Sequence, residues 1–216
     1  MAQNPKLVIF DCDGVMFDSK NANKHYYNHI LATLGHPAMT AEELDYVHIH
    51  NVMKSVSYLL RNYPDDIPRA EEYRADLNYQ PFFKYMQMEP DLIPFLEELK
   101  SRAIERAIST SRTNTMGQIL DIFALNDYYG KVMTTFDVEN PKPHPEALEV
   151  ILAHYQMAPE EAVYIGDSII DREHSKGVGM ELIAFRNPDI DGDYVVESFM
   201  EILDLPLFNY EQQNIE

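Results

Sequence analysis

The run Leu7-Val-Ile-Phe10 ends in Asp11-Cys-Asp13-Gly14, and this junction constrains the fold more than any other segment. Four consecutive apolar residues rich in strand formers predict a strand covered on both faces, as in a parallel sheet. The aspartates fall at its carboxyl end, where open α/β sheets bind their ligands. Alternate residues of an extended chain point the same way, so both carboxylates face one small volume. Two like charges that close require a cation or a shared proton, and hard oxygen donors suit a hard metal ion. An EF-hand also opens Asp-x-Asp, but Val15 and Met16 occupy its fifth and sixth positions and break that pattern.

Three later segments repeat the device of an apolar strand ending in small polar or acidic residues. Strands are predicted at Ile104–Thr110 before Ser111, at Ala162–Ile165 before Gly166-Asp167-Ser168, and at Glu181–Phe185 before Arg186-Asn187-Pro188. Helical spacing lies between them at Asp91–Arg102 and Pro145–Tyr155, the latter with Ala147, Val150, Ile151 and His154 on one stripe. Strands alternating with helices of this length predict an α/β fold with a doubly wound parallel sheet.

Residues 18–88 break that rhythm and read as helix after helix. Thr40-Ala-Glu-Glu43 has the form of a capping box, opening a helix predicted to continue toward Leu60, and Pro64, Pro68 and Pro81 punctuate the remainder. An inserted helical block here predicts a lid or cap over the carboxyl edge of the sheet, with the core formed by residues 1–17 and 89–216. The polar tail 209–216 is expected to fray.

Asp11 is a candidate nucleophile, metal ligand or both, since a carboxylate can attack phosphorus. Asp13 is placed to protonate a leaving group and then to deprotonate water; the plainer alternative makes Asp13-Gly14 only a turn. Asp167 could complete a metal site, with Asp171 one helical turn on beside it or just behind it; alternatively Ser168 and Asp171 only cap the next helix. The hydroxyls of Thr110 and Ser111, with N–H groups at the next helix start, suit phosphate oxygens, although such residues usually only cap. Lys142 sits in Pro141-Lys-Pro-His-Pro145, where flanking prolines stiffen the chain and present a fixed positive charge. A lone lysine belongs in solvent, but here acid pair, hydroxyl pair, lysine and second acid pair arrive in order, each beside a strand end. Together they describe a magnesium-bound phosphoryl-transfer site.

The segments FDCDGVMFDS, AISTSR, NPKPHP and IGDSIID resemble the four motifs of the haloacid dehalogenase (HAD) superfamily. The likeness extends over most of the chain, because the helical block is similar to the cap of the phosphoglycolate-phosphatase and β-phosphoglucomutase type. It implies a Rossmann-like core, Asp11 as nucleophile and Mg²⁺ ligand, and Asp13 as general acid/base that binds the metal through its backbone carbonyl. It further implies that Thr110 and Lys142 hold the phosphoryl group, that Asp167 binds Mg²⁺, and that Asp171 supports the metal site. Two departures stand out: Pro141 precedes the lysine where many relatives have glycine, and Asp13 argues for phosphate chemistry over carbon–halogen cleavage. The expected activity is hydrolysis of a small phosphorylated metabolite. A phosphosugar mutase and a non-catalytic binding protein of the same fold are the alternatives.

Other features are expected to be structural. His25 and His29 have a zinc-compatible i, i+4 spacing but lack the further ligands of a metalloprotease motif. His48 and His50 are expected on the block's surface, where a substrate contact is conceivable. Lys54, Arg61, Arg69 and Arg74 are expected to be mostly solvated, with one of them a candidate for the substrate's distal group. Gly177-Val-Gly179 lacks the third glycine of a dinucleotide fingerprint. A formal charge of -19 argues against nucleic-acid or anionic-membrane surfaces. With one cysteine, no leader-like apolar run at the N-terminus and no long apolar stretch, the chain is expected in the cytoplasm.

Overall fold

The computed structural model describes residues 4–209 of the chain. Of the tail expected to fray, residues 210–216 lie outside the described residues. The predicted first strand, β1 (Leu7–Phe10), is followed by a short β2 (Phe17–Asp18). Four helices come next: α1 (Lys20–Leu34), α2 (Ala41–Ile49), α3 (Val52–Leu59) and α4 (Ile67–Asp76). The chain returns through β3 (Gln87–Met88), which pairs antiparallel with β2.

From there strands and helices alternate as α5 (Leu92–Ser101), β4 (Glu105–Ser109), α6 (Met116–Ile122), β5 (Lys131–Met133) and α7 (Glu146–Tyr155). The chain continues through β6 (Ala162–Gly166), α8 (Ile169–Val178), β7 (Glu181–Phe185), β8 (Tyr194–Val196) and α9 (Phe199–Ile202). The main sheet is parallel throughout, in the order β5-β4-β1-β6-β7-β8. Sequence order runs outward from β1 in both directions, so the switch point, where such sheets open a crevice, is the carboxyl end of β1.

Alternation along β1 divides the core. Leu7 and Ile9 join Leu148, Ile151 and Tyr164 in the cluster under α7, while Val8 and Phe10 join Phe95, Phe185 and Phe199 on the opposite face. The Phe10 and Phe95 rings meet edge to face at 6.0 Å, and Phe95 and Phe199 stack at 5.4 Å. A fully buried ring of this kind is worth about 2–3 kcal/mol, which makes this cluster a main fastening of α5 and α9 to the sheet.

Two expectations are corrected. The helix predicted to run from Thr40 toward Leu60 is two helices: the capping box forms, but Asn51 takes an extended conformation and its side chain accepts from the Lys54 N–H, starting α3 afresh. Asparagine competes with the helical backbone in this way and favours a cap over a helix interior. On α7 the buried stripe is Ala147, Leu148, Ile151 and Leu152, whereas Val150 and His154 face solvent. The block returns to the core at Glu89, which is buried and pairs with both arms of the Arg186 guanidinium at 2.7 Å each.

Candidate active site

The site is assembled from the carboxyl ends of β1, β4 and β6 and the loop before α7. Asp11 leaves β1 with its N–H bonded to the Ile165 carbonyl, which fixes it beside β6. Gly14 then turns at φ 81°, where a Cβ would stand 2.0 Å from Asp167 Oδ2. Only glycine allows both that backbone conformation and that approach. A Cβ on Gly166 would likewise stand 2.4 Å from the Asp171 Cβ, so a second glycine lets α8 start close under β6.

Lys142 is buried, and its Nζ lies 2.8 Å from Asp11 Oδ1 and 2.9 Å from Asp171 Oδ1 while also donating to the Tyr164 phenol oxygen. That phenol is 2.9 Å from Asp171 Oδ1 and 3.0 Å from the Ser109 carbonyl, so it ties the lysine to the ends of β4 and β6. The other Asp171 oxygen accepts from Ser168 Oγ at 2.6 Å and from the N–H groups of Ser168 and Asp167. Ser168 and Asp171 therefore form the capping box of α8 while Asp171 also anchors the lysine.

Behind the lysine loop His174 spans Ser109 Oγ at 2.9 Å and the His144 carbonyl at 2.7 Å. A carbonyl only accepts, so Nδ1 carries the proton. Burial pushes the imidazole down to about 3, so it is neutral and Nε2 accepts from the serine. One histidine thus clips the Lys142 segment to the end of β4. The Lys142–Pro143 peptide is cis.

Asp13 faces the same cleft, and its Oδ1 lies 2.6 Å from an Arg112 amino group. The guanidinium is itself buried, bonded to Thr115 Oγ1 at 3.1 Å and 5.5 Å from the centre of the Tyr79 ring. Thr110 is buried, and its Oγ1 accepts from the Arg112 N–H at 3.2 Å. Ser111 lines the cleft, and its carbonyl is held by Thr135 Oγ1. Helix α6 begins only at Met116, so neither hydroxyl caps it.

The electrostatics separate the four acids. Burial pushes Asp11 up to about 7 despite Lys142, and Asp171 adds to the rise. Burial alone would raise Asp13 too, but the charge and hydrogen bond of Arg112 outweigh it and hold the carboxyl below the usual range. Asp171 is also held low, because Lys142, Ser168 and Tyr164 together overcome its burial. Asp167 is pushed well above the ordinary carboxylate value by burial and then by Asp171, Asp11 and Asp13. Oxygens of Asp11, Asp167 and Asp171 lie within 4.8 Å of one another. Among the described residues no hydrogen-bond donor reaches the Asp167 carboxylate, so this donor set fits a hard cation.

The cleft encloses about 730 Å³, part of it open to solvent, between these acids and the helical block, which contributes Tyr26, Tyr27, Ile49 and Tyr79 to its walls. His48 and His50 line it as well, whereas Lys54, Arg61, Arg69 and Arg74 do not. Arg61 and Arg74 are paired instead with Glu43 and Glu71. His25 stacks on Tyr85 and His29 bonds to Tyr73. Among the described residues the acid cluster is the one group of three or more metal-ligating side chains. Gly179 ends α8 in the left-handed conformation, and Gly177 packs against Pro145. No helix among the described residues is long and apolar enough to cross a membrane.

Arg112, Tyr164 and His174 are the site residues that sequence reasoning missed. Arg112 follows directly on the Thr110-Ser111 pair, and a cation one residue past a hydroxyl pair at a strand end was the available signal.

A phosphoglycolate phosphatase from Vibrio parahaemolyticus serotype O3:K6 is 25% identical over 224 aligned positions, covering 94% of this chain and 96% of the relative. A pyrophosphatase PpaX from Oceanobacillus iheyensis is 23% identical over 219 positions, covering 92% and 95%. The crystal structure of a HAD-superfamily hydrolase, subfamily IA, variant 1, from Geobacter sulfurreducens superposes with a TM-score of 0.78 at 32% identity, covering 96% of this chain and 98% of that one. A β-phosphoglucomutase from Clostridium difficile shares the fold, with a TM-score of 0.80 at 18% identity over 92% and 93% of the two chains. Residues 8–185 match the haloacid dehalogenase-like hydrolases, and the chain belongs to that family.

Proposed function

We propose that the chain is a Mg²⁺-dependent phosphatase that hydrolyses a small phosphorylated metabolite through an aspartyl-phosphate on Asp11. The observation that carries this reading is the pairing of Asp11 with a buried lysine at 2.8 Å while Asp13, two residues on, faces the same cleft. The phosphatase named among the relatives supports it.

In this reading Asp13 takes up a proton brought in by the phosphomonoester monoanion, an Asp11 carboxylate oxygen attacks phosphorus as the bond to the leaving oxygen breaks, and Asp13 passes that proton to the leaving oxygen. Water then attacks the aspartyl-phosphate, losing a proton to Asp13, and releases phosphate with Asp11 restored. Lys142, fixed by Asp171 and Tyr164, offsets the charge on the phosphoryl oxygens. Thr110 offers a hydroxyl proton that has no acceptor among the described residues, and Ser111 contributes from the cleft wall. Asp11, Asp167 and the Asp13 carbonyl would hold Mg²⁺, with Asp171 supporting the site from behind. When bound, the ion supplies positive charge to the transferring group and keeps Asp11 ionised despite its burial.

Residues 18–88 act in this reading as a cap domain on a core of residues 1–17 and 89–216, shielding the reaction from bulk water. The protein works in the cytoplasm. The test is phosphate release from a panel of phosphomonoesters with and without Mg²⁺, for the wild type and Asp11→Asn. Mg²⁺-dependent release that the variant loses supports the reading; release that survives in Asp11→Asn removes Asp11 as nucleophile.

A further inference from the structure

We propose that the cleft selects phosphomonoesters whose leaving group is uncharged and hydroxylated, as in polyol and sugar monophosphates, over those carrying a second anionic group. The inference rests on the phosphatase reading and adds the leaving group to it.

The argument is a count of charges and of their partners. Four carboxylates stand at the cleft, those of Asp11, Asp13, Asp167 and Asp171, and among the described residues only two permanent cations oppose them. Both cations are engaged already: Lys142 with Asp11 and Asp171, and Arg112 with Asp13 at 2.6 Å. A divalent cation cancels the excess of negative charge, and the phosphoryl dianion restores it. A carboxylate or second phosphate on the leaving group would therefore enter a site with no cation to receive it, at a cost that burial magnifies.

The helical block supplies no remedy, because none of its lysines or arginines lines the cleft. Neither of its two histidines there carries a permanent charge. His48 Nδ1 lies 3.3 Å from the Asn23 amide nitrogen, which can only donate, so this ring nitrogen accepts; burial also pushes the imidazole below its usual value. His50 donates from Nδ1 to the Tyr46 carbonyl at 2.9 Å and stacks on the Tyr46 ring.

What the cleft does offer is neutral hydrogen bonding. Asn23, Ser111, Thr113, Asn114 and Thr115 line its walls with hydroxyl and amide side chains. A ligand hydroxyl can exchange hydrogen bonds with such groups, and the rings of Tyr26 and Tyr27 give a carbon skeleton apolar surface. A sugar bisphosphate, which a phosphosugar mutase has to hold, meets the same lack of a free cation as a carboxylate does.

The experiment uses full-length, Mg²⁺-loaded protein and matched pairs: glycerol 3-phosphate against 3-phosphoglycerate, and glucose 6-phosphate against glucose 1,6-bisphosphate. The expected result is at least about a tenfold higher kcat/KM for the uncharged member of each pair. Ile49→Lys, which places a cation on the cleft wall, is expected to move the first ratio toward 3-phosphoglycerate at least fivefold, with folding checked by circular dichroism. Equal or faster turnover of the charged member by the wild type overturns the inference and leaves the phosphatase reading intact. Release from none of the four overturns both.

Discussion

The Arg112 guanidinium holds the Asp13 carboxylate at 2.6 Å, joining the loop after β4 to the loop after β1. The residue cast as general acid is thus fixed in place and kept ionised until substrate arrives. Arg112→Met is expected to lower kcat by one to two orders of magnitude, with Arg112→Lys retaining more activity, measured by steady-state phosphate release. The pair also predicts a pH signature. Asp13 has a lowered pKa in the folded state, so its stabilisation is present above the unfolded value near 3.9 and lost as pH falls. The stability deficit of Arg112→Met is therefore largest at neutral pH and shrinks below pH ~4 in denaturant titrations.

Lys142→Met removes the cation that Asp11 and Asp171 share. Phosphate release is expected to fall below detection. Without metal the variant loses about 3–5 kcal/mol, because two buried carboxylates lose their partner. A variant as stable as the wild type in urea would show that the pair is not what holds the lysine loop.

Asp167 makes metal binding visible in the melting temperature. Its raised pKa means that ionising it costs the metal-free fold stability at neutral pH, a penalty relieved as pH falls through that value or when a cation binds. Mg²⁺ should raise the Tm of the wild type. Asp167→Asn should melt a few degrees higher than metal-free wild type and respond little to Mg²⁺. Equal responses to Mg²⁺ in the two proteins would remove Asp167 from the ligand set.

His174 titrates in the opposite sense. A histidine held at about 3 when folded and near 6.5 when unfolded takes up its proton preferentially in the unfolded chain. Its stability is complete above pH 6.5 and falls by up to about 1.4 kcal/mol per pH unit below it. Between pH 7 and 5 the wild type should lose about 2 kcal/mol relative to His174→Gln, read from urea midpoints at each pH.

Gly14→Ala is expected to abolish activity and Mg²⁺ binding together, since the added methyl group meets Asp167 Oδ2 and the backbone is left-handed. Isothermal titration with Mg²⁺ checks this directly.

The four strand ends were legible in sequence because each combines an apolar strand pattern with residues that packing alone does not explain. The short strands were not. Lys131-Val-Met133 and Tyr194-Val-Val196 at the sheet edges are three residues long, below the length at which alternation is readable. The β2–β3 ribbon has only two residues a side, and its pairing is created by the fold. Tyr164 reads as one more apolar residue of a buried strand, and only the packing of α8 shows that its hydroxyl meets Lys142. Arg112 finds its partner 99 residues away in sequence, which no local pattern reports.

The β2–β3 ribbon has a consequence for how such a chain diversifies. Phe17 and Met88 are paired neighbours, so the chain leaves the sheet and returns at almost one point. From the standpoint of the sheet, everything between them is a loop tip. Insertions, deletions or wholesale exchange of the intervening helices need only preserve two ends one strand spacing apart, about 4.8 Å. Asp11, Lys142 and Asp167 would keep their register through any such exchange, so ligand preference can drift across generations while the reactive centre stays still.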